Sequence, residues 1–269
     1  MEPISVGRVK FSVTVGAVGE GRDPRGLAEL ARAVEDAGWD ALFLEDYLVY
    51  QGDASQPTYD PWICLAAMAT ATERIRIGTT VTPLPRRRPW KVAAEAVALD
   101  HLSNGRLVLG VGIGDPGDPF MDVRQPPKVL AEMLDEGLAL IDRLWTGQPV
   151  SFAGKHYHLE GGQLTARPVQ EPRIPLWIGG NMLVPAVRRR ILRWDGSCAY
   201  KGSTDAPPQI TPDDVRALLA ERGEPFDVKV SGGDPAAFAE AGATWWGRWI
   251  PPLPPDETLA IVRQGPPTL

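Results

Sequence analysis

Cysteine is scarce in this chain. Only Cys64 and Cys198 occur among 269 residues, far apart and in no C-x-x-C pair. That excludes a disulfide framework and a zinc ribbon. Histidine is scarcer than in most enzymes that use it as a ligand, with three in all. His156 and His158 lie at strand period and are expected to share a face, but no third ligand accompanies them, so no metal site is expected. His101 falls at the end of a predicted helix, where a cation suits the terminus. No stretch approaches 18 continuous apolar residues, and the start MEPISVGRVKF holds no apolar signal core. The expectation is a protein of the reducing cytoplasm with no membrane partner. The net charge of −6 is spread without an acidic or basic tail, so nucleic acid is not an expected partner either. The basic run Arg86-Arg87-Arg88 reads as a solvated turn, with anion binding as the alternative. No long insertion could form a lid, which points to an open site or one completed in a homodimer.

Glycine and proline are plentiful, 28 and 27, but dispersed, so they punctuate short elements along one domain, 1–269. VKFSVTVG, Val9 to Gly16, is β-branched and reads as a strand. Asp23-Pro24 then supplies an N-cap and a first-turn proline, and Leu27, Leu30, Ala31 and Val34 follow at helical spacing up to Gly38. The alternation repeats. Strands are predicted at ALFLE, IRIGTTV, LVLGVG, PLWIG, GSCAY, FDVKVS and ATWWGRWI. Helices are predicted over Pro61 to Ala71, Trp90 to Leu102, Pro127 to Trp145, Val184 to Leu192, the segment capped by Thr211-Pro212, the short one opened by Asp234-Pro235, and near Asp256 to Val262. A small surface hairpin is expected near residues 149–160. Eight apolar strands, each followed by a helix in about 250 residues, fit a single (β/α)8 barrel, a TIM-type α/β fold; an open doubly wound sheet is the alternative.

The segment RLVLGVGIGDPGD contains a literal G-x-G-x-x-G at Gly112, Gly114 and Gly117. In a dinucleotide-binding unit this loop runs straight into a helix whose N-terminus holds the pyrophosphate. Here Pro116 and Pro119 intervene, the next helix begins only near Pro127, and the strand is the fourth. The match is therefore not that fingerprint. The glycines end a barrel strand, where they either admit a ligand close to backbone or relieve crowding.

The block from Glu73 to Asp115, together with LARAVEDAGWDALFLEDY, LIDRLWTGQPVSFAGKHYHL, IPLWIGG, RWDG and AEAGATWWGRW in this order, resembles the bacterial-luciferase-like flavin-dependent oxidoreductases. The resemblance implies a (β/α)8 barrel that binds FMN or the 8-hydroxy-5-deazaflavin coenzyme, with NAD(P)H as a candidate electron donor. It implies redox chemistry, either oxygen insertion using reduced flavin or hydride transfer, and the leading expectation is a monooxygenase acting on a small organic substrate. A non-catalytic flavin-binding paralogue, or a lyase or isomerase using Glu45, Asp46 and Asp115 with a metal, are the alternatives. It further implies a bulge with a non-proline cis peptide at Thr80-Val81, behind the ring, so Thr79, Thr80 and Val81 are candidate cofactor residues with Gly112 and Gly114. Gly179, Gly180 and Asn181 are the candidates for the cofactor phosphate. Asp46 is expected to orient the ring edge or a neighbour, and Tyr47 to line the pocket where deazaflavin-dependent relatives often carry histidine. Tyrosine, with an ordinary pKa near 10, is a poor base at neutral pH but a good hydrogen-bond donor. Asp115 stands where relatives often carry an acid, and is read as an acid/base, a substrate ligand or a turn cap. Of Trp245, Trp246 and Trp249, alternation puts either Trp246 or its neighbours inside the barrel. Trp177 points into the barrel or along its rim.

Overall fold

The computed structural model describes residues 8–114, 120, 125–202, 210–223 and 226–269. Eight parallel strands close into a barrel: β1 (Lys10–Gly16), β2 (Ala41–Glu45), β3 (Arg76–Pro83), β4 (Leu107–Gly112), β7 (Leu176–Ile178), β8 (Gly196–Ser197), β9 (Asp227–Ser231) and β10 (Trp245–Trp249). Strand β1 pairs with both β2 and β10, which seals the ring. The closed barrel is thus the architecture, and the open sheet is not. Helices α1 (Pro24–Asp36), α2 (Pro61–Ala71), α3 (Pro89–Leu102), α4 (Pro127–Leu144), α5 (Pro185–Ile191), α6 (Pro212–Arg222), α7 (Pro235–Glu240) and α8 (Pro255–Val262) alternate with the barrel strands. The hairpin pairs β5 (Val150–Ala153) with β6 (His158–Gly162).

The helix starts follow from local chemistry. Asp23 accepts N–H groups of Arg25 and Gly26, and Asp60 those of Trp62 and Ile63; a proline follows each cap. Thr211 and Asp214 form a capping box, and Gly223 ends that helix at φ 74°, a left-handed value that favours glycine. The strands of PLWIG and GSCAY are shorter than expected, three and two residues.

Two cores result. The larger lies between the helices and the outer face of the barrel. The smaller is inside the ring, where Phe43, Trp177 and Trp245 pack with ring centroids 5.4–6.0 Å apart beside Ala41 and Val108. Lys10, at the N-terminal end of β1, stacks its amine 5.0 Å from the Trp245 ring centroid. This aromatic plug fills the N-terminal half of the barrel interior, which leaves the interior open toward the C-terminal mouth. Trp245 is therefore the inward tryptophan, while Trp246 packs outward against Phe11.

Other expectations are corrected here. His156 and His158 do not share a strand face: His156 lies in the turn, its Nε2 3.0 Å from Glu132 Oε2, and His158 opens β6. Among the described residues no group of three or more His, Cys, Asp or Glu is placed to hold a metal ion, and no helix is long and apolar enough to cross a membrane.

Candidate active site

Asp46, one residue past β2, sits at the centre of the best-bonded cluster in the mouth. Its side chain has no exposure. Arg86 donates to Oδ1 and to the Asp46 carbonyl, and Arg87 reaches both carboxylate oxygens at 3.1 Å. Trp62 Nε1 and Thr82 Oγ1 donate to Oδ2 at 3.1 and 2.8 Å. Thr82 lies 3.1 Å from Thr79 Oγ1, which donates to the Gly110 carbonyl at 2.8 Å. One polar chain thus links β2, β3 and β4 at their C-terminal ends.

This corrects the reading of the arginine run as a solvated turn. The 3₁₀ turn Leu84–Arg86 directs Arg86 and Arg87 inward, with side chains 7% and 18% exposed, and only Arg88 stays in solvent. The two guanidinium groups share one carboxylate, and that partner is about forty residues upstream, where no local pattern reveals it.

Between Thr79 and Thr82 the β3–β4 register slips, and the Thr80–Val81 peptide is cis. The bulge lifts Val81 over the ends of β4 and β7. A Cβ on Gly179 would lie 2.5 Å from Val81 Cγ1, and one on Gly112 3.0 Å from Val81 Cγ2. The two glycines therefore make room for the bulge residue itself, which relieves the crowding. Gly114 (φ 102°) and Gly180 (φ 135°) occupy backbone conformations that favour glycine. The Thr80 hydroxyl is buried and has no partner among the described residues.

The fit to a planar redox ring rests on these two observations: a side chain seated on a glycine cradle at the rim, and an orphaned hydroxyl beside it. Asp46 and Gly114 follow the ends of β2 and β4, and Thr80 lies in the bulge of β3 between them, so the three stand on adjacent strands. Asn181 is committed to protein contacts. Its amide accepts from Leu183 N and Gly202 N and donates to the Gly202 carbonyl, tying the loops after β7 and β8 together. Tyr47 packs edge-to-face on Tyr50, ring centroids 5.1 Å apart. Asp115 and Gly117 lie outside the described residues.

Across the mouth, Trp249 is 46% exposed and donates its indole N–H to Glu45 Oε2 at 3.2 Å. Inside, Cys198 lies against the glycine cradle: a Cβ on Gly110 or Gly179 would meet its Sγ at 3.5–3.6 Å. Burial pushes that thiol up to about 12. Lys229 on β9 also points inward, its amine 5.9 Å from the Phe43 ring centroid, and burial holds it below the ordinary lysine value. Sequence reasoning missed Lys229. The alternation Asp227-Val228-Lys229-Val230-Ser231 reads as a strand with its polar face to solvent, whereas in this barrel the polar face is the interior.

The family model for luciferase-like monooxygenases matches residues 8–245, and the chain belongs to that family. A 4-hydroxyprotoasukamycin monooxygenase of Streptomyces nodosus subsp. asukaensis is 35% identical over 221 residues, 77% of this chain and 58% of its own length. An F420-dependent glucose-6-phosphate dehydrogenase of Nakamurella multipartita is 34% identical over 163 residues, 59% of this chain. The chain spans 47% of that dehydrogenase and so covers about half its length. A solved F420-dependent secondary alcohol dehydrogenase superposes with a TM-score of 0.76 over 96% of this chain and 98% of its own, at 15% identity, which speaks for the shared barrel.

Proposed function

We propose that this protein is a flavin- or deazaflavin-dependent oxidoreductase, and specifically a monooxygenase of a small organic substrate. The observation that carries the reading is the Val81 side chain seated on Gly112 and Gly179, with the Thr80 hydroxyl buried and unpaired beside it. When bound, the reduced cofactor would supply two electrons: FMN would deliver them to dioxygen for oxygen insertion, and the 8-hydroxy-5-deazaflavin coenzyme would deliver them as hydride in the broader oxidoreductase reading, with NAD(P)H as the candidate external donor.

The chain's own residues position and shield. Val81 offers an apolar face to a planar ring, and Thr80 offers a hydrogen bond to its edge. Both stand on a rim that the Asp46–Arg86–Arg87 cluster braces, which makes Asp46 a positioning residue. The Gly179-Gly180 turn lets backbone approach a phosphate, while Asn181 holds the turn in place. Tyr47 lines the pocket as a hydrogen-bond donor, and Asp115 is kept as a candidate acid from its place after β4. The aromatic plug excludes water from below, which strengthens every polar contact in the mouth.

Fluorescence and absorbance titration of the apo-protein with each cofactor tests this. Saturable binding of one of them, weakened by Thr80→Val, is expected. A protein that binds neither, with native circular dichroism, sinks the reading.

A further inference from the structure

The Lys229 ammonium has been taken out of water without a counter-charge. The residue is 6% exposed. No carboxylate lies within ion-pair distance of Nζ among the described residues, and its one hydrogen bond is to Ser231 Oγ at 3.2 Å. The groups that favour its charge are Cys198 first, a thiol that burial pushes up to about 12, and then Glu45, whose Oε2 accepts from Trp249. Elsewhere in the same mouth the rule is the reverse, since Arg86 and Arg87 share the Asp46 carboxylate. A desolvated amine held by one neutral hydroxyl is costly unless a further acceptor arrives.

The surroundings are polar on the β1 and β9 sides and aromatic below. Gly247 opens the gap that the lysine crosses: a Cβ there would lie 2.9 Å from Nζ and 3.1 Å from Ser12 Oγ. The floor below is the Phe43 ring of the aromatic plug. Toward the mouth the lysine is flanked by Ser231, which is exposed, so the amine lies just behind a surface that solutes reach. Thr14, in register with Phe43 and Trp249, adds a buried hydroxyl with no partner among the described residues. The half-exposed Trp249 indole, bonded to Glu45, stands at the C-terminal end of the neighbouring strand β10.

We propose that Lys229 is the substrate-binding and specificity-determining residue at the deep end of the mouth, donating its amine N–H to the oxygen of a small aromatic or conjugated carbonyl or phenolic compound walled by Trp249. This rests on the reading of the mouth as a redox site and adds the substrate's chemistry to it. An oxygen-bearing ring fits because the floor and wall are aromatic while the donor waits at one end. A hydrocarbon of the same shape leaves the amine unsatisfied, and such sites discriminate strongly against an analogue that lacks the hydrogen-bonding group.

The test uses 4-hydroxybenzaldehyde as the probe and p-xylene as its oxygen-free match, with the intact chain, in the presence and absence of cofactor. Difference absorbance and ligand-observed NMR give the dissociation constants. Wild type is expected to bind the aldehyde saturably, Lys229→Met at least tenfold more weakly, and Lys229→Gln, which keeps an N–H donor, in between. Affinity for p-xylene is expected to be unchanged in all three. Lys229→Met binding the aldehyde within twofold of wild type, or wild type showing no saturable binding, overturns the proposal. Cofactor titration of the same variants separates the two readings. Retained cofactor binding with a probe indifferent to Lys229 removes only this proposal, whereas no cofactor binding by wild type removes the function beneath it.

Discussion

On the β2–β4 side of the mouth, both oxygens of the Asp46 carboxylate are engaged by Arg86, Arg87, Trp62 and Thr82. On the β1–β9–β10 side, Lys229 has one neutral partner and Thr14 none among the described residues. Both sides are buried, so solvent does not explain the difference. A saturated network has one low-energy arrangement and fixes geometry, whereas unsatisfied donors and acceptors hold free energy that a ligand can release. The contrast assigns the Asp46 carboxylate cluster to holding the rim, on which the Thr80 hydroxyl is left unpaired among the described residues for the cofactor, and the Lys229 side to receiving the substrate.

The largest effect tests the saturated side. Asp46→Ala removes the carboxylate that Arg86 and Arg87 share, leaves Arg87 only the longer Asp60 contact at 3.7 Å, and strands the Trp62 and Thr82 donors. Breaking a buried pair this way costs about 3–5 kcal/mol, to be read as a lower urea midpoint at constant slope. A loss below about 1 kcal/mol, as for a surface pair, would break the contrast. Gly179→Ala comes next. Its methyl would press on Val81 Cγ1, and overpacking costs about 1–3 kcal/mol, with weaker cofactor binding because the bulge must move. Val81→Ala in the same chain is expected to restore part of the stability; additivity of the two losses in a double-mutant cycle would show that they do not share the contact.

The unsaturated side predicts the opposite sign. Lys229→Met removes a desolvated amine with no ion-pair partner and replaces it with an apolar chain over Phe43. Stability at neutral pH is expected to rise by about 1 kcal/mol. Because the folded lysine value lies below the ordinary 10.5, the folded state carries the penalty while the amine is charged. The advantage of the variant therefore shrinks as pH rises toward 10.5. Denaturation of both proteins from pH 7 to 10 reads this directly, and a destabilised variant would mean that the amine is already well satisfied.

The barrel was legible in the chain because each of its elements is locally marked. Aspartate-proline or threonine-proline pairs open helices, and short β-branched runs mark strands; ALFLE, LVLGVG and the helix Pro61–Ala71 fall at the expected residues. The bulge at Thr80-Val81 entered through family resemblance, since no local pattern specifies it. What stayed hidden depends on closure. Arg86 is inward only because the ring brings Asp46 beside it, and Lys229 is inward only because a barrel has two faces and strand alternation does not say which is inside. The same ambiguity left Trp245 and Trp246 undecided until Phe43 and Trp177 were in place.

The smallest expected effect lies away from the mouth, where carboxylates are saturated by backbone instead of arginine. Glu35 on α1 accepts the N–H groups of Glu73, Arg74 and Ile75 just ahead of β3. Partial burial works against its charge, but the three backbone donors and the Arg74 charge outweigh that, so its carboxyl lies below the ordinary 4.5. Glu136 on α4 does the same for Lys155, His156 and Tyr157 at the hairpin turn. A depressed carboxylate contributes stability at neutral pH that fades as pH falls from about the ordinary value through the folded one. Both sites are open to solvent, so screening limits each to about 1 kcal/mol or less. Glu35→Gln should therefore cost that much at pH 7 and nothing once the wild-type group is protonated. The two urea curves should differ at pH 7 and converge as pH falls below the ordinary 4.5 and through the folded group's lower range. Curves that stay apart at low pH would show that the glutamate acts through packing, and would confine the argument from saturated charge to the Asp46 side of the mouth.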